Sequence, residues 1–533
     1  MTVRNHEGMD AVLGKEETES RDPTGVDDMP PTSTPLARSQ LRRYETGYFL
    51  STFALGPPFA ALVTYVGFQI QNIGYVVGRV PGAAPGSGCP PGATSCRVPF
   101  AGSSSSGDVN LTSYLLYLNA IIYAVSGALT LVVCSLGDHA PHQREQYVAQ
   151  LVLYGVLCLP VAGLRGGDLV TFNTLSALYV VFNVVGFIAG AWMNIFIPYV
   201  MHKSEESSAP EPPSYQQSTG RDDEGRAKRA IEDGVQMGVW GSNGLGAGQV
   251  VLFAVSIGLT FASATYAGLY VTTASGALCI AVSLVAWPLL PSPEPKDRRP
   301  GMSVREWLLL PLTTFAPFLR QLWAHPECLK FLLAYTVYND TAFAFGAVTG
   351  QLFNLHVRPS LREFTYYSLV QPVAAIASAT AFMYLRPALR RSAGLTLRRW
   401  TVLSYAVTCF CAVWCAAGIA PSAVLGFKRR WEFYVFQVLQ SAAAGVSGVS
   451  FRVLYARLFP RGGEVRFFGA QLVLSLGTVW IPQVVNGPVV DATDNLRLPA
   501  AISAALLAFC AVLASLVDEA KGMRQAGYEN TGD

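Results

Sequence analysis

The sequence predicts an all-α polytopic membrane protein with twelve transmembrane helices in two six-helix bundles. Three observations lead there. Charged residues are 14% of the 533 and hydrophobic ones 51%, where soluble domains carry roughly 25% charge, and the mean hydropathy is +0.33. From Gly47 onward, apolar segments of roughly 20 residues recur, each long enough as a helix to cross about 30 Å of hydrocarbon. A long segment at 291–329 divides them six and six. Backbone groups in lipid must be paired within a helix or around a closed barrel, and period-2 alternation is weak, so helices follow.

Residues 1–43 are rich in Asp, Glu, Pro, Ser and Thr, with too few apolar groups to offset the entropy of ordering, and read as a disordered tail. Their acidic start is unlike a cleaved signal, which needs a basic start followed at once by an apolar run. Spans one to four, at 47–75, 112–136, 147–165 and 171–200, fill a region 44–200. A polar loop, 201–238, separates them from spans five and six at 240–263 and 267–290, within 239–290. After the linker 291–329 come spans seven to twelve at 330–353, 364–386, 400–420, 433–454, 467–490 and 498–517. These occupy 330–517, and 518–533 form a short polar tail.

Flanking basic residues set the orientation. With the N-terminus cytosolic, the far-side loops hold Arg79, Arg97, Arg165, Arg358, Arg362, Lys428, Arg429, Arg430 and Arg497, 9 of 38 basic residues, leaving 29 on the cytosolic side. Both termini are therefore expected in the cytosol. The far-side loop 78–110 contains Cys89 and Cys96, a plausible local disulfide, and ends in the glycosylation sequon Asn110-Leu111-Thr112. Asn110 lies close to the membrane surface, where an acceptor is poorly reachable. In loop 201–238, Pro212, Pro213 and Tyr215 make a Pro-Pro-x-Tyr stretch that fits the aromatic groove of a WW domain, such as that of a ubiquitin ligase. A proline-rich spacer is the plainer reading.

Composition also excludes function classes. A net charge of +3 with its basic residues in short separate clusters offers no face for nucleic acid. The ten cysteines follow no zinc spacing. No catalytic Ser/His/Asp set or metal-binding His pair can be assembled within the spans, so neither enzyme nor metal nor cofactor is expected.

One charge stands out. Span seven starts near Lys330, so at about 1.5 Å per residue Asp340 lies roughly 15 Å in, close to the midplane. Asp168, Glu432 and Asp491 fall at span ends, where water or headgroups solvate them, and Arg452 can snorkel to the cytosolic surface. No cationic side chain shares Asp340's depth. A carboxylate there favours its neutral form, which suits a proton carrier or the counter-charge for a substrate ammonium. A protonated Asp bonded to a neighbouring helix is the structural alternative.

Polar stripes suggest a wet passage. Tyr65, Gln69 and Asn72 share one α-helical face of span one, Asn183 and Asn194 one face of span four, and Gln440 and Ser447 one face of span ten. Taken singly, each such stripe is more often an interhelical hydrogen-bond contact than a substrate ligand. In span five, Gly244, Gly246 and Gly248 include a Gly-x-x-x-Gly pair that permits close helix approach. With no preceding strand and no following Lys-Ser/Thr, they are not a phosphate loop.

Twelve spans in two halves around 291–329 resemble the major facilitator superfamily. Its signature after span two is partly met by Leu136 and Asp138, with Arg144 as candidate charge partner, while His139 stands where Arg is usual. More specific stretches resemble the fungal autophagy-related vacuolar amino-acid effluxers. They are Gly244-Leu245-Gly246-Ala247-Gly248, Tyr338-Asn339-Asp340, Trp431-Glu432-Phe433-Tyr434, Phe467-Phe468-Gly469 and Asp491-Ala492-Thr493. The likeness spans most of 44–517. Ala54-Leu55-Gly56-Pro57-Pro58 departs from it, lacking the acidic residue expected in the first span. The resemblance implies a vacuolar-membrane carrier that returns neutral or larger apolar amino acids to the cytosol, with Asp340 and Asn339 in the pathway or its coupling. Two other readings stay open: a facilitator-type carrier of another small solute in the plasma membrane, and a transport-inactive scaffold recruiting WW-domain partners.

Overall fold

The computed structural model describes residues 38–84, 87–90, 95–99, 108–137, 142–193, 195–207, 220–262, 266–293, 306, 320, 322–420, 422–459, 464–493 and 495–527. Its architecture is all-α, with the twelve expected spans visible as helices or helix pairs. Spans one to six are Arg38–Val77, Leu111–Gly137, Gln143–Gly163, Leu169–Met193 continued by Phe196–Ser207, Gly220–Ala262, and Ala267–Leu289. Spans seven to ten are Pro326–Val357, Leu361–Ala393, Leu397–Ala417 and Arg430–Arg457. Span eleven is Glu464–Thr478 followed by Trp480–Thr493, span twelve is Leu498–Ser515, and a tail helix Glu519–Gln525 ends the described chain.

Among the described residues, ten of these helices are long and apolar enough to cross a membrane. Spans seven and ten meet the length and miss the apolarity, because the first carries Thr336, Asn339, Asp340 and Thr341 and the second Gln437, Gln440, Ser441, Ser447 and Ser450. Polar groups are expensive in hydrocarbon unless they face protein or water, so these two helices belong inside the bundle.

Each half has its own apolar core. One cluster packs Tyr48, Leu62, Tyr147, Tyr154, Phe172 and Phe182. In the second half, Phe345, Phe353, Tyr405 and Phe433 form one cluster, and Phe331, Phe451 and Tyr455 another, into which Val239 of span five inserts. Large apolar side chains such as Phe261, Tyr384 and Phe410 point outward, as a lipid-facing surface requires.

Span five packs closely on span one. At Gly248 a Cβ would run into the carbonyl oxygen of Phe53, and at Gly56 into that of Leu245, so both backbones need glycine to approach. Gly244 lies against Thr52 and Phe49 of the same partner, whereas Gly246 faces Ile376 of span eight.

The helices depart from regularity at three places. Leu62–Val66 in span one is a π-helical turn, span four breaks between Met193 and Phe196, and span eleven breaks at Val479. The 201–238 loop is shorter than its composition suggests, since helix extends to Ser207 and resumes at Gly220, and Ser204 donates to Asp233 at 2.6 Å across it. Loop 78–110 closes with the disulfide Cys89–Cys96 and a two-stranded antiparallel ribbon, Arg97–Pro99 with Asp108–Asn110.

At this disulfide-bearing end the two bundles meet through several side-chain contacts. Asn354 donates to Gln71 at 2.9 Å, Phe68 stacks on Phe364 with centroids 5.1 Å apart, and Ser113 and Tyr117 both donate to Asp491. Asp491, expected merely to be solvated, is thus an acceptor that joins span two to span eleven. One further expectation changes. Glu432 is fully buried, its Oε2 accepting from the backbone N–H groups of Lys428 at 2.6 Å and Arg429 at 3.2 Å, as an acid at a helix N-terminus can. Arg452 brings a guanidinium nitrogen within 4.0 Å of where a Cβ on Gly238 would sit, beside the start of span five's apolar stretch.

Candidate functional site

Asp340 lies fourteen residues into a helix of 32 residues, roughly 21 Å along about 48 Å, so it stays near mid-membrane although the helix begins before Lys330. It is 5% exposed. The Thr478 hydroxyl lies 2.5 Å from its Oδ2 and 2.7 Å from the Leu474 carbonyl oxygen, the single hydroxyl proton serving one of the two. Asp340 Oδ1 is buried with no hydrogen-bond partner. Its electrostatic neighbours are Tyr123 of span two, Tyr335 on its own helix and Cys510 of span twelve, and among the described residues it forms no ion pair. The acid therefore sits where spans seven, eleven, twelve and two converge, the last of these belonging to the other bundle.

Thr478 is the last helical residue before the break in span eleven. Interrupted helices leave backbone groups and side chains free to serve a site, and in membrane carriers such breaks are tolerated where they face protein or a cavity. Trp480 steadies this one by donating its indole N–H to the Gly477 carbonyl at 2.6 Å.

Beyond the break, Gln483 and Asn486 are 0% and 2% exposed. Both amide atoms of Gln483 and Nδ2 of Asn486 lack partners, as do the side-chain oxygens of Thr336, Thr341, Gln351 and Gln440. Buried polar groups are nearly always paired; unpaired ones occur in both halves, and those near Asp340 and the Val479 turn are the ones placed to meet a polar partner from outside the chain. Gln483 and Asn486 were not singled out in the sequence. Their spacing of three within an apolar span carried the signal.

The other expected residues are more scattered. Tyr65 is buried and its hydroxyl binds both Ser256 of span five and Thr365 of span eight, the latter at 2.9 Å. It thereby joins the bundles. The stripe expected from it does not continue. The π turn at Leu62–Val66 inserts a residue into the register, leaving Gln69 half-buried and Asn72 exposed, while the neighbouring Gln71 makes the contact across the halves. Asn183 turns its amide onto the Tyr179 carbonyl of its own helix at 2.8 Å, and Asn194 lies outside the described residues. Asn339 is half-buried beside Asp340. Ser447 is buried and donates to the Ala444 carbonyl at 3.2 Å.

Of the loop after span two, Asp138 and His139 lie outside the described residues, and Arg144 pairs with the adjacent Glu145 at 2.7 Å. Asn110 accepts from the backbone N–H of Thr112 at 3.0 Å, acting as the helix N-cap of span two. Pro212, Pro213 and Tyr215 lie outside the described residues. Among the described residues no group of three His, Cys, Asp or Glu side chains could hold a metal ion.

Comparison with known proteins agrees in kind. A family model described as "Vacuole effluxer Atg22 like" matches residues 41–527. Autophagy-related protein 22 of Candida albicans is 24% identical over 492 residues, covering 91% of each chain, and its namesake from Yarrowia lipolytica is 31% identical over 123 residues, covering 22% and 21%. Among solved structures, the human organic anion transporter MFSD10 superposes with TM-score 0.54 at 12% identity, covering 91% of this chain and all of the other. The xylose transporter XylE of E. coli gives 0.56 at 10% identity, covering 89% and 97%. At such identities the likeness shows the fold alone, the twelve-helix major facilitator arrangement.

Proposed function

This chain belongs to the Atg22-like vacuole effluxer family, and from that premise we propose that it carries amino acids from the vacuole lumen to the cytosol by alternating access, coupled to protons through Asp340. Family and fold are those of a membrane transporter and not of an enzyme. The substrates are neutral or larger apolar amino acids released by autophagic breakdown. Both termini lie in the cytosol, the disulfide-bearing loop faces the lumen, and the two bundles rock about a midplane site.

The observation that carries the reading is the buried carboxylate of Asp340, one oxygen held at the break of span eleven and the other without a partner. A charge in hydrocarbon is costly, and its position between the bundles lets it exchange a proton with each side in turn. A pH difference of about two units supplies roughly 2.7 kcal/mol per proton, enough for about a hundredfold concentration ratio.

Vesicles from vacuoles with and without the chain, loaded with a mixed panel of amino acids, sugars and organic anions, test this. Amino acids should leave faster when the chain is present and the lumen acidic. Efflux of a sugar or anion alone, or a tagged chain resident in the plasma membrane, would replace the reading with that of another solute carrier. The Pro-Pro-x-Tyr stretch at Pro212, Pro213 and Tyr215 is retained as a proposed docking peptide for a WW-domain ubiquitin ligase that controls how much carrier the membrane holds.

A further inference from the structure

We infer that Gln483 and Asn486 of span eleven bind the zwitterionic head group of the substrate, an inference that rests on the amino-acid transport proposed above. The two amides stand three residues apart, on one face of Trp480–Thr493. That segment starts at the break beside Asp340's partner Thr478 and packs mainly against span two of the opposite bundle, where Gly487 abuts the ring of Tyr117. The amides therefore sit at the seam that must open and close during transport.

Their chemistry selects a ligand. Gln483 offers a donor and an acceptor whichever way its amide is turned, and both atoms are buried without partners. Asn486 adds a donor in the same condition. Leaving a buried polar group unpaired is destabilising, and a purely structural amide would be expected to bond across the seam as Asn354 does with Gln71. From Trp480 to Val490 the segment carries no charge, so it has no fixed cation for a full anion, while the acids Asp340 and Asp491 stand beyond its two ends. A group with both signs and no net charge fits: its carboxylate accepts from Gln483 Nε2 and Asn486 Nδ2, and its ammonium donates to Gln483 Oε1. Head-group recognition then leaves the apolar side chain of the substrate to the rest of the pathway, which accounts for a carrier that accepts several neutral amino acids.

The test uses vacuolar vesicles and three probes of one shape: leucine, leucine methyl ester, and isoamylamine, which is leucine without its carboxylate. In the parent chain leucine should be transported and the other two should compete at least tenfold more weakly. Gln483→Leu and Asn486→Leu should each raise the KM for leucine about tenfold, the equivalent of about 1.4 kcal/mol, with a much smaller effect on kcat, and should narrow the gap between leucine and isoamylamine. Gln483→Glu keeps the size of the side chain and sets a negative charge against the carboxylate, so leucine should lose ground and isoamylamine gain it. This variant decides the matter if a leucine substitution fails to reach the membrane. Loss of kcat with an unchanged leucine-to-amine ratio in all three would mean a structural role and overturn the inference while leaving amino-acid transport standing. A parent chain that moves no amino acid would overturn both.

Discussion

Glu327 lies in the first turn of the Pro326–Val357 helix, ahead of the apolar stretch that begins near Lys330, and its carboxylate gathers three donors. Lys330 Nζ is 2.7 Å away, Lys521 Nζ 3.4 Å, and the backbone N–H of Asp518 donates at 3.0 Å. Burial pushes this acid upward, but the Lys330 ammonium, the Asp518 N–H and the Lys521 ammonium outweigh it and hold the carboxyl below the usual glutamate range. A depressed carboxylate contributes stability that is fully present above its unfolded value and is lost as pH falls through its folded one. Glu327→Gln should therefore lower the thermal stability of the purified protein at neutral pH, by about 2 kcal/mol. The gap from the parent should close as pH drops below 4.5, the ordinary value of the group. A gap that persists in acid would mean that the side chain acts through shape alone. At this scale the sequence was partly legible. Asp340 showed itself because a charge inside an apolar span has few innocent explanations, whereas Glu432 looked solvated because nothing in its spacing reveals the backbone N–H groups of Lys428 and Arg429 folded over it.

Elements were legible where hydropathy alone decides them, which covers ten of the twelve spans; the more polar spans seven and ten were legible from the recurrence of segments of spanning length. Irregularities within them were not. The π turn at Leu62–Val66 and the break at Val479 depend on what packs alongside, so the face drawn through Tyr65, Gln69 and Asn72 from a uniform period failed, and the polar face of span eleven went unnoticed. The glycines of span five were readable because small residues four apart have a physical use in lipid, where helices attract chiefly by close packing. Gly248→Ala should lower the melting temperature in detergent, corresponding to about 1–3 kcal/mol, since its Cβ meets the backbone of Phe53. Gly258→Ala on the same helix has open space around the added methyl and should be neutral or slightly stabilising. Equal effects at the two positions would remove the close-approach argument.

Taken as a whole, the molecule packs separate apolar clusters in its two halves and joins them along a seam where apolar contacts alternate with polar groups. Separate cores suit the rocking of two bodies proposed above, and the interior carries groups that call for a polar partner: Asp340, Gln483, Asn486 and Gln440. At the disulfide-bearing end the seam is held by Gln71 with Asn354, Phe68 with Phe364, and Asp491 with Ser113 and Tyr117. The alternating-access proposal requires those bonds to separate when the passage opens on that side. Long-range pairings of this kind join residues up to 378 positions apart, and a single sequence without relatives to compare does not display them. The most direct test of the account is proton movement in vesicles containing the purified chain, followed with a trapped pH-sensitive dye as leucine is added. The parent chain should move protons with leucine, and Asp340→Asn, inserted in the same amount, should abolish that movement and the dependence of leucine flux on pH. Leucine flux that is unchanged and still pH-dependent in Asp340→Asn would contradict it.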